Sequence, residues 1–215
     1  MASLGIRFLL LLSLSVFMDT TLSGQVLQEG DLLFCCPDTA NAITDVTSGA
    51  NGMSIDHVAI VHRISGNDGV LFVIEAKKPV VCLTPLDSFL IENPCVLVGR
   101  VDADVDFRKS VRRCLMMVGK PYDDLFLPGD SALYCSELVQ LNYVDSRDCL
   151  VFAPIPMSFH DESGQITDYW RDFYARQNMG VPEGAPGSNP GELSRRPQVS
   201  IIGKISKQMK TLTIQ

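Results

Sequence analysis

Tyr134-Cys135-Ser136-Glu137-Leu138-Val139 is the stretch on which the fold turns. It follows a loop, Pro128-Gly129-Asp130-Ser131, and opens an apolar pattern that predicts a helix over 134–143 with Cys135 at its start. The first N–H groups of a helix lack intrahelical partners and carry partial positive charge, so a cysteine there favours thiolate over thiol. The same groups can steady a developing oxyanion. Taken alone, such a cysteine reads equally as half of a disulfide or as an inert buried thiol. The order of the segments decides: strand-like runs come before this helix.

Upstream, Gly30-Asp31-Leu32-Leu33-Phe34-Cys35 is a turn feeding a short strand, and 37–55 is a loop of small and polar residues. Residues 55–64 form a β-branched run, and Asn67-Asp68-Gly69 is a hairpin signal leading into 70–76. Lys77-Lys78-Pro79 breaks that strand, and 80–83 and 96–101 read as two more. Over 107–118 the spacing turns helical, with Val111, Leu115 and Val118 on one face and Arg108, Arg112 and Arg113 off it. Gly119-Lys120-Pro121-Tyr122-Asp123 is a loop, and 165–177 is a third helical segment carrying Tyr169, Trp170, Phe173 and Tyr174. Strands in a block followed by helices predict an α+β class, an antiparallel sheet packed against helices. After Gly180 the prolines 182, 186, 190 and 197 alternate with glycines 184, 187 and 191. This predicts a Pro/Gly-rich C-terminal tail over 180–215, without regular helix or inner strand. It holds no candidate catalytic residue and is expected to be dispensable for chemistry but not necessarily for stability.

The titratable residues are few. His57 and His62 lie five apart in one strand, so they point to opposite faces and only one can face a given cleft. His160 falls in a polar loop. Glu75 ends the run Val70-Leu71-Phe72-Val73-Ile74, apolar on both faces and therefore central. A carboxylate there must be paired or must emerge into solvent. There is no CxxC or CxxxH spacing, and no metal or other cofactor is expected.

Residues 1–24 read as a secretory signal peptide, with Arg7, an apolar run over 8–18 and a small polar exit at 20–24. The apolar run is too short to span a bilayer, which takes about 20 residues. The expectation is a secreted protein, extracellular or periplasmic if bacterial, with no stable membrane insertion and one domain over 25–179. Its seven cysteines are 35, 36, 82, 95, 114, 135 and 149. An odd count leaves at least one thiol over in an oxidising compartment, and Cys135 is expected to be that thiol. Which of Cys35, Cys36, Cys82, Cys95, Cys114 and Cys149 pair is left open. The net charge of −7 argues against nucleic acid as a partner.

Five segments in order carry a resemblance. They are Gly30-Asp31-Leu32-Leu33-Phe34, Asp56-His57-Val58-Ala59-Ile60-Val61, Val73-Ile74-Glu75-Ala76, Gly119-Lys120-Pro121-Tyr122-Asp123 and Tyr134-Cys135-Ser136-Glu137-Leu138-Val139. This order resembles the circularly permuted papain-like amidases of the YiiX/YebB branch, relatives of the NlpC cell-wall cysteine peptidases, over about residues 28–175. In the unpermuted relatives the cysteine helix precedes the sheet. The resemblance implies a permuted papain-like cysteine hydrolase fold with Cys135 as nucleophile, His57 as base and Glu75 orienting the imidazole. It implies Tyr134 and Tyr169 as substrate-binding residues, and for Glu137 a capping or packing role. The implied partner is a small peptide or acyl-amide substrate, with a peptidoglycan-derived peptide suggested by the relatives. Two other readings stand beside it: a lipid acyltransferase or thioesterase on the same fold, and a secreted non-catalytic binding or matrix protein.

Overall fold

The computed structural model describes residues 27–64, 70–129, 131–206 and 209–214. The signal-peptide segment and the Asn67-Asp68-Gly69 turn lie outside the described residues. In chain order the elements are β1 (Leu32–Cys35), β2 (His57–Arg63), β3 (Leu71–Lys77), β4 (Val80–Pro85), α1 (Leu86–Glu92), β5 (Cys95–Val101) and α2 (Phe107–Met116). They continue with α3 (Cys135–Asn142), β6 (Ile155–Pro156), α4 (Asp168–Ala175), β7 (Pro186–Gly187), α5 (Pro190–Leu193), β8 (Val199–Ser206) and β9 (Met209–Ile214). Seven strands form one sheet in the order β4-β3-β2-β1-β5-β8-β9, every neighbouring pair antiparallel. The α+β expectation with an antiparallel sheet holds.

The central strands are covered on both faces, which is why they read as continuous apolar runs rather than alternating ones. All four residues of β1 are buried, as are Val58, Ala59, Ile60 and Val61 of β2. On one face Leu32, Phe34, Val58, Ile60 and Ile74 pack with Val111 and Cys114 of α2 and Leu138 and Val139 of α3. On the other, Leu33, Ala59, Val61 and Val73 pack with Leu86 and Phe89 of α1. The sequence reading did not contain α1, which is only seven residues long and starts directly after Pro85. The predicted helix over 107–118 stops at Met116, so Val118 is exposed and the buried face is Ser110, Val111 and Cys114.

Gly30 shows how the first motif is built. Its φ is +80°, and an added Cβ would lie 2.5 Å from Cδ1 of Phe107, so only glycine suits both the turn and the contact. The Gly30 carbonyl accepts the Tyr143 hydroxyl at 2.7 Å, fastening the turn to the end of α3. The next residue, Asp31, is buried and takes Arg100 on both carboxylate oxygens, at 2.9 and 2.7 Å.

The segment after Gly180 departs from the predicted tail. Residues 180–198 do run mostly irregularly, but Asn189 caps the short α5 with its side chain, and β8 pairs with β5 from Cys95–Ser206 to Val101–Val199. The strand sits between β5 and β9, inside the sheet. The prolines end at Pro197, so they forbid a ladder only up to that point. The Val-Ser-Ile-Ile run of 199–202 is free to make one.

Candidate active site

Cys135 is the first residue of α3, after Tyr134 at the N-cap, and it is buried. Tyr134 makes no side-chain bond to the helix start. Glu137, three residues after the N-cap, stands where the reach-back residue of a capping box would, near the backbone N–H groups of Tyr134 and Gly129. Burial, with Asp123 nearby, pushes its carboxyl up to about 8.

His57 is the first residue of β2, and its Nε2 lies 2.8 Å from Oε2 of Glu75 on β3. The Cys135 thiol lies close enough to the imidazole to raise its affinity for a proton. The ring is 19% exposed, whereas the Glu75 side chain is 2% exposed. The second carboxylate oxygen of Glu75 accepts the Thr84 hydroxyl at 2.5 Å and lies 3.2 Å from Lys77 Nζ. Burial alone would raise the Glu75 carboxyl, but the bond and charge of His57, the Thr84 hydroxyl and Lys77 outweigh it and hold it down at about 2. Burial would likewise depress His57, but Cys135 and the bond to Glu75 outweigh this and lift it to about 10. The ring thus keeps its second proton through neutral pH. Imidazole and carboxylate form a hydrogen-bonded pair, and the Cys135 thiol lies beside the ring.

Alternation along β2 separates the two strand histidines. His62 Nδ1 pairs with Glu29 Oε1 at 2.8 Å and takes no part in the chain. His160 lies elsewhere, 3.2 Å from Ser158 and 3.2 Å from Glu183. All seven cysteines are free thiols, so Cys135 is not singled out by being unpaired.

Cys135 borders an open cleft with about 380 Å³ of empty space, solvent at its mouth included. Its walls are Ile43, Val46, Phe126, Tyr134, Met157, Phe159 and Trp170, with Ser136, Ser158, Ser188, Asn189 and Pro190 completing the lining. None of these side chains is charged. Tyr134 lines the cleft; its ring meets Phe126 edge-on at 5.4 Å, and its hydroxyl oxygen accepts the Ser188 N–H at 3.0 Å. Tyr169 does not line it. This residue is 51% exposed and stacks on Phe173, while its neighbour Trp170 points inward and donates its indole N–H to Ala42. In a helix adjacent residues differ by about 100°, so shifting the reading by one position exchanges the inner face for the outer. The hydroxyls of Ser136 and Ser188 are buried with no hydrogen-bond partner among the described residues, and both residues line the cleft.

Thr84, Lys77, Trp170, Phe126 and Ser188 were not among the residues singled out from the sequence. Thr84 alone had a usable signal. It stands before the closing proline of the run Val-Val-Cys-Leu-Thr-Pro, where Cys82 and Thr84 share a face and Cys82 is the register partner of Glu75.

The permuted papain-like amidase enzymes of the YaeF/YiiX family match residues 26–202. The chain belongs to this family. As an amidase of that kind it is a cysteine hydrolase with the papain-like fold in permuted order, and the match reaches into β8, beyond residue 175 where the span read from the motifs stops. Among solved structures it is similar to the metalloprotein YiiX from Escherichia coli O157:H7, with a TM-score of 0.66 at 21% identity, over 83% of this chain and 98% of that one. That likeness concerns the fold. No curated protein matches the chain. Among the described residues no group of three or more His, Cys, Asp or Glu is arranged to hold a metal ion.

Proposed function

We propose that the protein is an exported cysteine amidase in which Cys135 attacks an amide carbonyl, His57 moves the protons and Glu75 orients and charges the imidazole. The observation that carries this reading is the buried Glu75 carboxylate 2.8 Å from the His57 imidazole, with the Cys135 thiol beside that ring at the start of α3. The thiolate sulfur attacks the carbonyl carbon, and the oxygen takes up negative charge beside the unpaired N–H groups that start α3. The imidazolium gives its proton to the departing amine, leaving a thioester on Cys135. His57, now neutral, takes a proton from water as that water attacks the thioester; Cys135 leaves as thiolate and the acid is released. Glu75 supplies a fixed negative charge behind the ring throughout.

Export rests on the pattern of residues 1–24. A cell-wall peptide is the substrate that the resemblance suggests. The cleft favours a second substrate reading: its walls are aromatic and aliphatic without a charged group, which suits the apolar acyl group of a thioesterase or acyltransferase. In either case the unpartnered hydroxyls of Ser136 and Ser188 are suited to polar atoms of the bound group. Incubating the purified protein with amide and acyl-ester electrophiles, followed by mass spectrometry of its peptides, tests the proposal. The expected adduct is on Cys135 and is lost in Cys135→Ala; modification elsewhere with Cys135 untouched would overturn it. A panel of peptides and acyl esters then separates the two substrate readings.

A further inference from the structure

Cys36 follows directly on β1, and Cys95 opens β5. The β1–β5 register sets Phe34 against Leu97 and Cys35 against Val96, and its next step sets Cys36 against Cys95. The Cys36 N–H donates to the Cys95 carbonyl at 2.9 Å, and the two thiols are close enough to perturb each other. Opposed residues that share a backbone bond on antiparallel strands have Cα atoms about 5.5 Å apart. That lies inside the range of roughly 4.4–6.8 Å that disulfides bridge. Cys36 is buried while Cys95 is partly exposed, so a reagent arriving from solvent meets Cys95 first. Burial, with Cys95 beside it, pushes the Cys36 thiol up to about 12 against a weaker opposite pull from Lys204 on β8, so Cys95 is the thiol that reacts first. Cys35 packs on the other face of β1, Cys82 contacts Thr84, and Cys149 is exposed.

We propose that Cys36 and Cys95 are an oxidisable pair that closes into a cross-strand disulfide, separate from Cys135, when the folded protein meets a small-molecule disulfide. The Cys95 thiolate attacks one sulfur of the reagent and releases one reagent thiolate, forming a mixed disulfide. Cys36 then gives up its proton and attacks the Cys95 sulfur, releasing the second reagent thiolate. The two protein sulfurs together lose two electrons and two protons, and one reagent disulfide becomes two thiols. The closed loop runs from Cys36 to Cys95 and contains β2, β3, β4 and α1, with His57 and Glu75 among them. The bond would staple the half of the sheet that holds the imidazole and carboxylate to β5. Its use in the cell rests on the export reading above; the chemistry of the pair does not.

The test is to incubate the full-length folded protein with oxidised glutathione, block remaining thiols with N-ethylmaleimide, and map disulfide-linked peptides by tandem mass spectrometry. Cys35→Ala, mapped in parallel, removes the sequence neighbour that could be mistaken for Cys36. The expected result is a Cys36–Cys95 cross-link with Cys135 still blocked by maleimide. The oxidised protein should melt on the order of 5–10 °C higher, because the long closed loop restricts the unfolded chain. Cys95→Ala should lose both the cross-link and the rise in melting temperature, with Cys135 alkylation unchanged. Maleimide on Cys36 and Cys95 after oxidation, a mixed disulfide persisting at Cys95, or Cys95 linked to Cys35 or Cys135 would each overturn the proposal. The wild-type map decides this even where a variant fails to fold.

Discussion

Replacing Glu75 by glutamine is the most informative single change, because it alters charge at nearly constant shape. Holding the carboxyl at about 2 in place of its ordinary 4.5 amounts to about 3 kcal/mol, at ~1.4 kcal/mol per tenfold. His57, Thr84 and Lys77 share that amount, and His57 heads the groups that hold the carboxyl down. If the imidazolium takes half or more, its loss is about 2 kcal/mol, a fall of roughly 10- to 100-fold in kcat/KM. The amide oxygen can still accept from His57 if Thr84 turns to accept from the amide N–H and Lys77 moves wholly to Glu92, already 3.0 Å away. Folding is therefore expected to survive. The assay is the pH dependence of Cys135 alkylation alongside turnover. In wild type the imidazolium persists to about 10; in Glu75→Gln the upper limb should move down by about a pH unit or more, in step with the lost energy. A Gln variant that traces the wild-type curve with equal turnover would refute the role of Glu75, and the search would move to another group behind His57.

Thr84→Val should lower turnover up to about tenfold and shift the same limb by less than Glu75→Gln, because it leaves a carboxylate oxygen short of one donor; Thr84→Ser should restore both readouts. Glu137 binds its proton up to about 8 in the folded protein against an ordinary 4.5, so stability should fall as pH rises between those values. Glu137→Gln keeps an acceptor for the cap, and its melting temperature should be flat where the wild type declines from pH 5 to 8. Glu75 works in the opposite sense: its contribution is present above 4.5 and lost as pH falls through about 2, so Glu75→Gln should remove that acid limb. Truncation after residue 179 removes β8 from beside β5 and the Ser188 bond to Tyr134, and should destabilise the fold; it also removes Ser188, Asn189 and Pro190 from the cleft and should lower Cys135 reactivity, contrary to the expectation that the segment is dispensable for chemistry. A truncated chain with the wild-type melting point and full Cys135 reactivity would show that neither contact matters.

The sequence by itself determined what is local or ordered along the chain. The continuous apolar run at 58–61 announces a strand buried on both faces, and alternation within β2 separates His57 from His62. The motif order carried the family, and a carboxylate closing an apolar strand at Glu75 required a partner before any partner was visible. What only the tertiary structure decided is which distant side chains meet. Thr84 and Lys77 complete the Glu75 site through β3–β4 pairing, and the cleft gathers residues from 43 to 190. Trp170 rather than Tyr169 faces inward because the phase of a helix is set by what it packs against. The run after Pro197 reads as the end of a tail until the edge of β5 offers it a ladder. Backbone pairing is recorded in the partner strand as much as in the segment itself, and a reading of the segment alone holds half of that information.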